Sequence, residues 1–140
     1  MAQAPNFLKV NIMTDYYQHT PKYAKQSFAR QTWVESEGHA AKTATLFGVN
    51  MNVLRVDVIV SNPTANPTVT VTFANADGVA VIDGTNFATL AKNTKHIKLA
   101  RKATADFTEV PLVGDITVTI DPSLDSGATS LTVDVILYGD

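Results

Sequence analysis

The chain has 140 residues, no cysteine and a formal net charge of −2. This length suits one domain whose core forms without disulfides, and a zinc site would need the three histidines and carboxylates alone. No run approaches the ~18 apolar residues of a membrane helix, and the N-terminus lacks the pattern of a secretory signal, so we expect neither.

The N-terminal region, residues 14–30, is aromatic and basic but shows no period of 2 or 3.6. Pro21 disfavours a continuous helix here. Two interpretations stay open: an extended arm that lies on another chain, or a long loop packed on its own sheet. The residues that favour an interface in this region are Tyr16, Tyr17, Tyr23, Phe28 and Arg30.

The rest of the chain alternates apolar and polar residues with the period of half-buried β-strands. Strands are predicted over 54–60, 68–73, 115–120 and 131–137, with further strands near 7–12, 43–49, 79–82 and 95–99. Alternation predicts that the core contains Val56, Val58, Val69, Val71, Phe73, Ile116, Val118, Val133 and Val135.

Turn chemistry separates these strands. The prolines of residues 62–67 cannot continue a central strand, and 121–127 reads as a polar loop. Asp77-Gly78 and Asp83-Gly84 suit tight turns, and Gly114 and Gly127 also read as turn residues beside strands. We predict an all-β fold, an antiparallel β-sandwich of jelly-roll type with an extended N-terminal arm. Residues 1–45 hold the arm and first strands, and 46–140 the sandwich body, as a single domain.

Motifs for chemistry are missing from the sequence. His19, His39 and His96 lack metal-ligand spacing, no nucleophile motif or phosphate-binding loop is present, and we expect no enzyme, cofactor or metal. Asp121 and Asp125 could bind calcium, but Asx turns explain both residues as well.

Charge is segregated near the C-terminal part of the chain. Residues 92–102 hold five bases and no acid, whereas 103–140 hold seven acids and no base. The basic segment fits three readings: phosphate contacts to nucleic acid, a protected edge strand, or contact with an acidic protein. It lacks the interleaved aromatics of nucleic-acid binders, so we expect no nucleic-acid partner. As a strand, this segment places Lys95, Ile97, Leu99 and Arg101 on one face. Its candidate interface residues are Lys95, Lys98 and Arg101.

The strands TVTVTF and DITVTI, the turns NPTANP and NADG, and the strand LTVDVILYG resemble small structural proteins of tailed-phage virions. The resemblance is greatest to capsid decoration, or cement, proteins. It implies a non-enzymatic protein of the virion, assembled in the host cytoplasm. Its partners would be a capsid or other virion protein and further copies of itself, with a trimer favoured, and no membrane. The alternatives are another virion component (tail, head-completion or spike) or a carbohydrate-binding β-sandwich, for which Trp33 and the tyrosines are the candidates.

Overall fold

The computed structural model describes residues 25–103 and 109–140, and these residues form an antiparallel all-β structure, as predicted. The predicted strand near 7–12 lies outside the described residues. One short 3-10 helix, Gly84–Phe87, interrupts the β-structure. The strands are β1 (Lys25–Trp33), β2 (Lys42–Val60), β3 (Val69–Asn75), β4 (Thr94–Leu99), β5 (Val110–Pro122) and β6 (Leu131–Gly139).

Strand β2 is the centre of the sheet. The strand order is β1-β6-β2-β5-β3, and β4 pairs with β2 as well. Residues 42–53 of β2 pair with β5, whereas 55–60 pair with β4 on one side and β6 on the other. The two strands predicted over 43–49 and 54–60 are therefore one strand. Its two parts define a β5 half-sheet (β2, β5, β3) and a β6 half-sheet (β1, β6, β2, β4).

A β-bulge bends β2 within the β5 half-sheet. The register with β5 slips between Leu46 and Val49, so that Phe47 and Gly48 lie opposite the single residue Asp115. The Gly48 N–H donates to the Asp115 carboxylate at 3.0 Å. Such a bulge bends a strand and increases its twist, which lets β2 pass from one half-sheet to the other.

Glycines at this bulge adopt conformations that other residues disfavour. Gly48 has φ of +60° and Gly114, in the facing part of β5, has φ of +101°. Gly114 was predicted in a turn and instead lies inside a strand, because the bulge demands a positive φ there.

The core is a single cluster that draws buried residues from both half-sheets. All of the predicted core residues are buried, while the threonines between them, Thr70, Thr117 and Thr132, are only half-buried. The predicted register is therefore confirmed. Because one core serves both half-sheets, their buried faces pack against each other as in a β-sandwich.

The segment between β3 and β4 differs from its prediction. Residues 79–82 form isolated bridges, Ala74 with Ala80 and Ile82 with Lys102, rather than a strand. Asp77-Gly78 makes the predicted tight turn, with Gly78 at φ +80°. Asp83-Gly84 does not, because Asp83 instead caps the 3-10 helix.

Strand β1 corrects the last part, residues 25–30, of the prediction made for 14–30. Within the described residues, 25–30 belong to neither an arm nor a loop, because they pair with β6 from Lys25–Gly139 onward. Residues 14–24, with most of the predicted arm, lie outside the described residues. Alternation was hard to see in β1 because polar Ser27 and Gln31 occupy the face that also carries buried Ala29 and Trp33.

Phe73→Ala tests the core. Phe73 is buried and meets the Phe87 ring edge-on, with the ring centroids 5.5 Å apart. We expect the substitution to lower the free energy of unfolding by about 3–5 kcal/mol. Chemical denaturation measures this loss, and Phe47→Ala, at a side chain that is 80% exposed, is the matched control. Similar losses in the two variants would contradict the assignment of the core.

The cap of the 3-10 helix should make stability depend on acid pH. The Thr85 N–H and hydroxyl donate to the Asp83 carboxylate at 2.9 and 2.7 Å. These hydrogen bonds, with the nearby Arg101 charge, hold the Asp83 pKa below its ordinary value. Their stabilisation is present above the ordinary pKa of about 4 and is lost as pH falls through the lowered pKa. Urea unfolding from pH 6 to pH 2 should show a shallower loss of stability in Asp83→Asn than in the unmodified protein.

Candidate protein-binding surface

The face of the β6 half-sheet that points away from the core is the candidate site, and we call it the outer face. Alternate residues of four neighbouring strands build it, because side chains opposite each other in an antiparallel pair share a face. Its members are Phe28 and Arg30 of β1, Asp134, Ile136 and Tyr138 of β6, Arg55, Asp57 and Ile59 of β2, and Lys95, Ile97 and Leu99 of β4.

Large apolar side chains are exposed at both margins of the outer face. Phe28 on β1 is 51% exposed, and Ile97 and Leu99 on β4 are 54% and 64% exposed. Half-buried Ile136 lies opposite Phe28 on one side and Asp57 on the other. Isolated apolar residues are common on protein surfaces, but apolar residues grouped across neighbouring strands are typical of binding surfaces.

A fully buried carboxylate lies in the middle of this face. Asp57 is 0% exposed, although its side chain points away from the core. Arg55 Nη2 donates to Asp57 Oδ2 at 3.0 Å, and the Lys95 ammonium lies 3.7 Å from the same oxygen. Ile97 of β4 and Ile136 of β6 flank Asp57 directly in the sheet. Arg55 and Asp57 both belong to β2, so the Lys95 ammonium is the charge that links this carboxylate to β4.

The guanidinium groups of this face are held in place by their neighbours. Arg55 lies over the Tyr138 ring, 4.5 Å from its centroid. Arg30 binds both Asp134 oxygens, at 2.6 and 2.8 Å, and lies 5.5 Å from the Phe28 ring centroid. The hydrogen bond and charge of Asp134 raise the Arg30 pKa. A surface whose side chains are already ordered loses less conformational entropy when it binds.

Three of the predicted interface residues, Phe28, Arg30 and Lys95, lie on the outer face, the first two on β1 at one margin and Lys95 on β4 at the other. Lys98 belongs to the opposite face of β4, and Arg101 follows β4 and pairs with Asp83, at 3.4 Å. Tyr16, Tyr17 and Tyr23 lie outside the described residues. Sequence reasoning placed Ile97 and Leu99 beside Lys95 but did not identify them, Ile136 or Tyr138 as part of a site. Only their alternation along each strand could have pointed to them.

Of the sugar-binding candidates in the described residues, Tyr138 lies on the outer face and Trp33 does not. Trp33 is buried, and its Nε1–H donates to the Ala40 carbonyl at 2.8 Å, so its ring is not available as a sugar platform. Asp125 contacts His39 Nδ1 at 2.5 Å, whereas Asp121 lies within β5 opposite Thr70. Residues 25–103 and 109–140 contain no group of three or more histidines and carboxylates arranged to hold a metal ion.

The histidines also lie apart. His96 Nε2 is 2.8 Å from the Ala91 carbonyl, away from the His39–Asp125 pair, and His19 falls outside the described residues. Among the residues that the structure describes, no helix is long and apolar enough to cross a membrane.

Comparison with known proteins gives structural similarities only. No family model and no curated protein matches this sequence. The fold is similar to a chain of the "Cyanophage Pam1 capsid asymmetric unit", at 18% identity and TM-score 0.44 over 83% of this chain and 84% of that one. It is similar to a chain of the "Capsid of Ralstonia phage GP4", at 14% identity and TM-score 0.43 over 84% and 86%. It is also similar to the "EclA C-terminal domain; sugar-binding protein", at 12% identity and TM-score 0.41 over 96% and 99%. These similarities are too low to assign a family.

Removing the buried carboxylate tests the structure of the outer face. Asp57→Ala removes a fully buried carboxylate that contacts Arg55 and Lys95, whose side chains are 26% and 50% exposed, so we expect a loss of about 1–3 kcal/mol in the free energy of unfolding. Asp134→Ala removes the partner of Arg30, whose side chain is largely exposed, and should cost much less. Urea titrations of both variants measure the difference. Equal effects would mean that Arg55 reaches solvent easily and that Asp57 does not order the face.

Proposed function

We propose that this chain is a non-enzymatic structural protein of a virus particle, which binds the capsid shell as a decoration protein through its outer face. The observation that carries the proposal is the presence of exposed Phe28, Ile97 and Leu99 on one face of the β6 half-sheet. The Thr/Val-rich strands and the turns NPTANP and NADG resemble those of virion proteins, and this resemblance supports the virion as its location.

The physical basis is burial of apolar surface on a rigid platform. Each Å² of apolar area removed from water contributes about 25 cal/mol before the costs of association. The strands fix the spacing of the apolar groups, while the ordered charges of Arg30 and Asp134 select the orientation of the partner. A shell repeats its sites many times, so a modest affinity at each site gives a large total stabilisation.

A homo-oligomer, with a trimer favoured, belongs to the same proposal. Three linked copies would present three outer faces to a shell site of matching symmetry. Binding of the first face then raises the effective concentration of the other two, which increases the overall affinity without new contacts. Sedimentation velocity of the isolated protein tests the oligomeric state.

Phe28→Asp tests the proposed surface. A carboxylate at this position would be desolvated in the interface, so we expect at least a tenfold loss of affinity for shells assembled without this protein. Cosedimentation with such shells measures it, and circular dichroism confirms the fold. Phe47→Asp is the matched control, since Phe47 is even more exposed but lies on the β5 half-sheet.

Each result of this comparison has a clear meaning. Loss of binding in Phe28→Asp with normal binding in Phe47→Asp supports the outer face. Loss of binding in Phe47→Asp with normal binding in Phe28→Asp would place the contact surface at the bulge instead. Failure of the unmodified protein to bind shells would contradict the proposed function.

A further inference from the structure

The covered edge of β3 differs from the edges formed by β1 and β4, where outward backbone groups have no backbone partner among the described residues. The edge of β3 is covered, because Val69 and Leu90 exchange backbone hydrogen bonds at 2.9 and 2.8 Å, and the Val81 N–H donates to the Phe73 carbonyl. On β1, the Thr32 carbonyl, which points away from β6, accepts from Lys42 Nζ. These contacts close backbone groups that would otherwise be available to another strand.

The hydrogen-bond pattern shows which groups of β4 face outward. The Ala100 N–H donates to the Leu54 carbonyl at 2.9 Å, in the register of the β2–β4 pair. In an antiparallel ladder such bonds involve every second residue. His96 and Lys98 therefore direct their backbone groups toward β2, and the intervening residues Lys95, Ile97 and Leu99 direct theirs away from it.

A second hydrogen bond supports the same assignment. The Ser61 N–H donates to the Thr132 carbonyl at 3.0 Å, so alternate residues Arg55, Asp57 and Ile59 of β2 bond toward β6. The other residues of β2 then bond toward β4, as the Ala100 contact requires. Among the residues that the structure describes, no backbone hydrogen bond reaches the outward N–H and C=O groups of β4.

We propose that β4 is a strand-addition site, at which an extended acidic segment of another particle protein pairs with Lys95, Ile97 and Leu99. Main-chain hydrogen bonds would supply affinity and alternate side chains specificity. This inference rests on the proposed function and names how the partner engages. The added strand would extend the outer face, so its apolar side chains would lie beside Ile97 and Leu99.

Charge identifies the partner. Residues 92–102 carry five bases and no acid. Within the described residues, Lys98 makes no ion pair, and the Lys95 ammonium, which pairs with Asp57, keeps half of its side chain exposed. A second copy of β4 paired with this one would set lysines against lysines, which is destabilising. An acidic segment of a different protein instead neutralises them.

Two substitutions at one position separate strand addition from simple side-chain contact. Ile97→Pro removes an outward N–H without removing a β2–β4 hydrogen bond, and proline is tolerated at such edge positions. Ile97→Ala removes nearly the same side chain and keeps the N–H. We expect Ile97→Pro to lose at least tenfold more affinity for shells assembled without this protein than Ile97→Ala loses, measured by cosedimentation. Thermal unfolding verifies that both variants fold.

The matched control is the same pair of substitutions at Gln26, which lies opposite Tyr138 on β1 and also directs its N–H away from its neighbour. Gln26→Pro and Gln26→Ala should bind equally well, and binding of the unmodified protein should weaken as salt rises. Equal losses in Ile97→Pro and Ile97→Ala, or a proline-specific loss of the same size at Gln26, would overturn strand addition. If Phe28→Asp still weakens binding in that case, the proposed function stands without this inference. If no variant changes binding, both fail.

Discussion

The rest of the structure depends on the continuity of β2. A strand of this length, Lys42–Val60, would extend about 60 Å if it were straight and fully extended, which is longer than a domain of this size. The bulge at Phe47–Gly48, closed by the Asp115 carboxylate, and a register shift with β6 between Val53 and Arg55 bend it. β2 can therefore pair with β5 at one end and with β4 and β6 at the other. One strand thus joins the two half-sheets and holds their buried faces over a common core.

The outer face follows from this arrangement. Because 55–60 of β2 have neighbours on both sides, Asp57 is enclosed by side chains from β4 and β6 although it points away from the core. Burial of a carboxylate is costly, and Arg55 and Lys95 offset that cost. We regard this ion cluster as a device that fixes the position of β4 rather than as a net source of stability. Fixing β4 fixes Ile97 and Leu99, which are the largest exposed aliphatic groups of the face.

The edge formed by β4 resists pairing with its own copies and remains open to an acidic segment. The lysines of β4 match the charged residues by which native edge strands avoid pairing with their own copies. The same lysines leave the edge open to a segment of opposite charge, and Ile97 and Leu99 add apolar contact beside it. Rejection of self and selection of an acidic partner can therefore come from the same side chains.

The sequence by itself determined which way the residues of the strongly alternating strands face. Val/Thr alternation in β3, β5 and β6 identified the core from Val69 to Val135, and it placed Lys95, Ile97 and Leu99 on one side of β4. It missed β1, because polar Ser27 and Gln31 interrupt the apolar face there. It divided β2, because the alternation changes phase between Val53 and Val56, where the register with β6 shifts. Only the tertiary structure decided which strands are neighbours. Alternation is a local property, whereas pairing joins residues far apart in the chain, such as Asp57 with Ile97 and Phe28 with Ile136. The burial of Asp57, the grouping of the outer face and the open edge of β4 arise from that pairing.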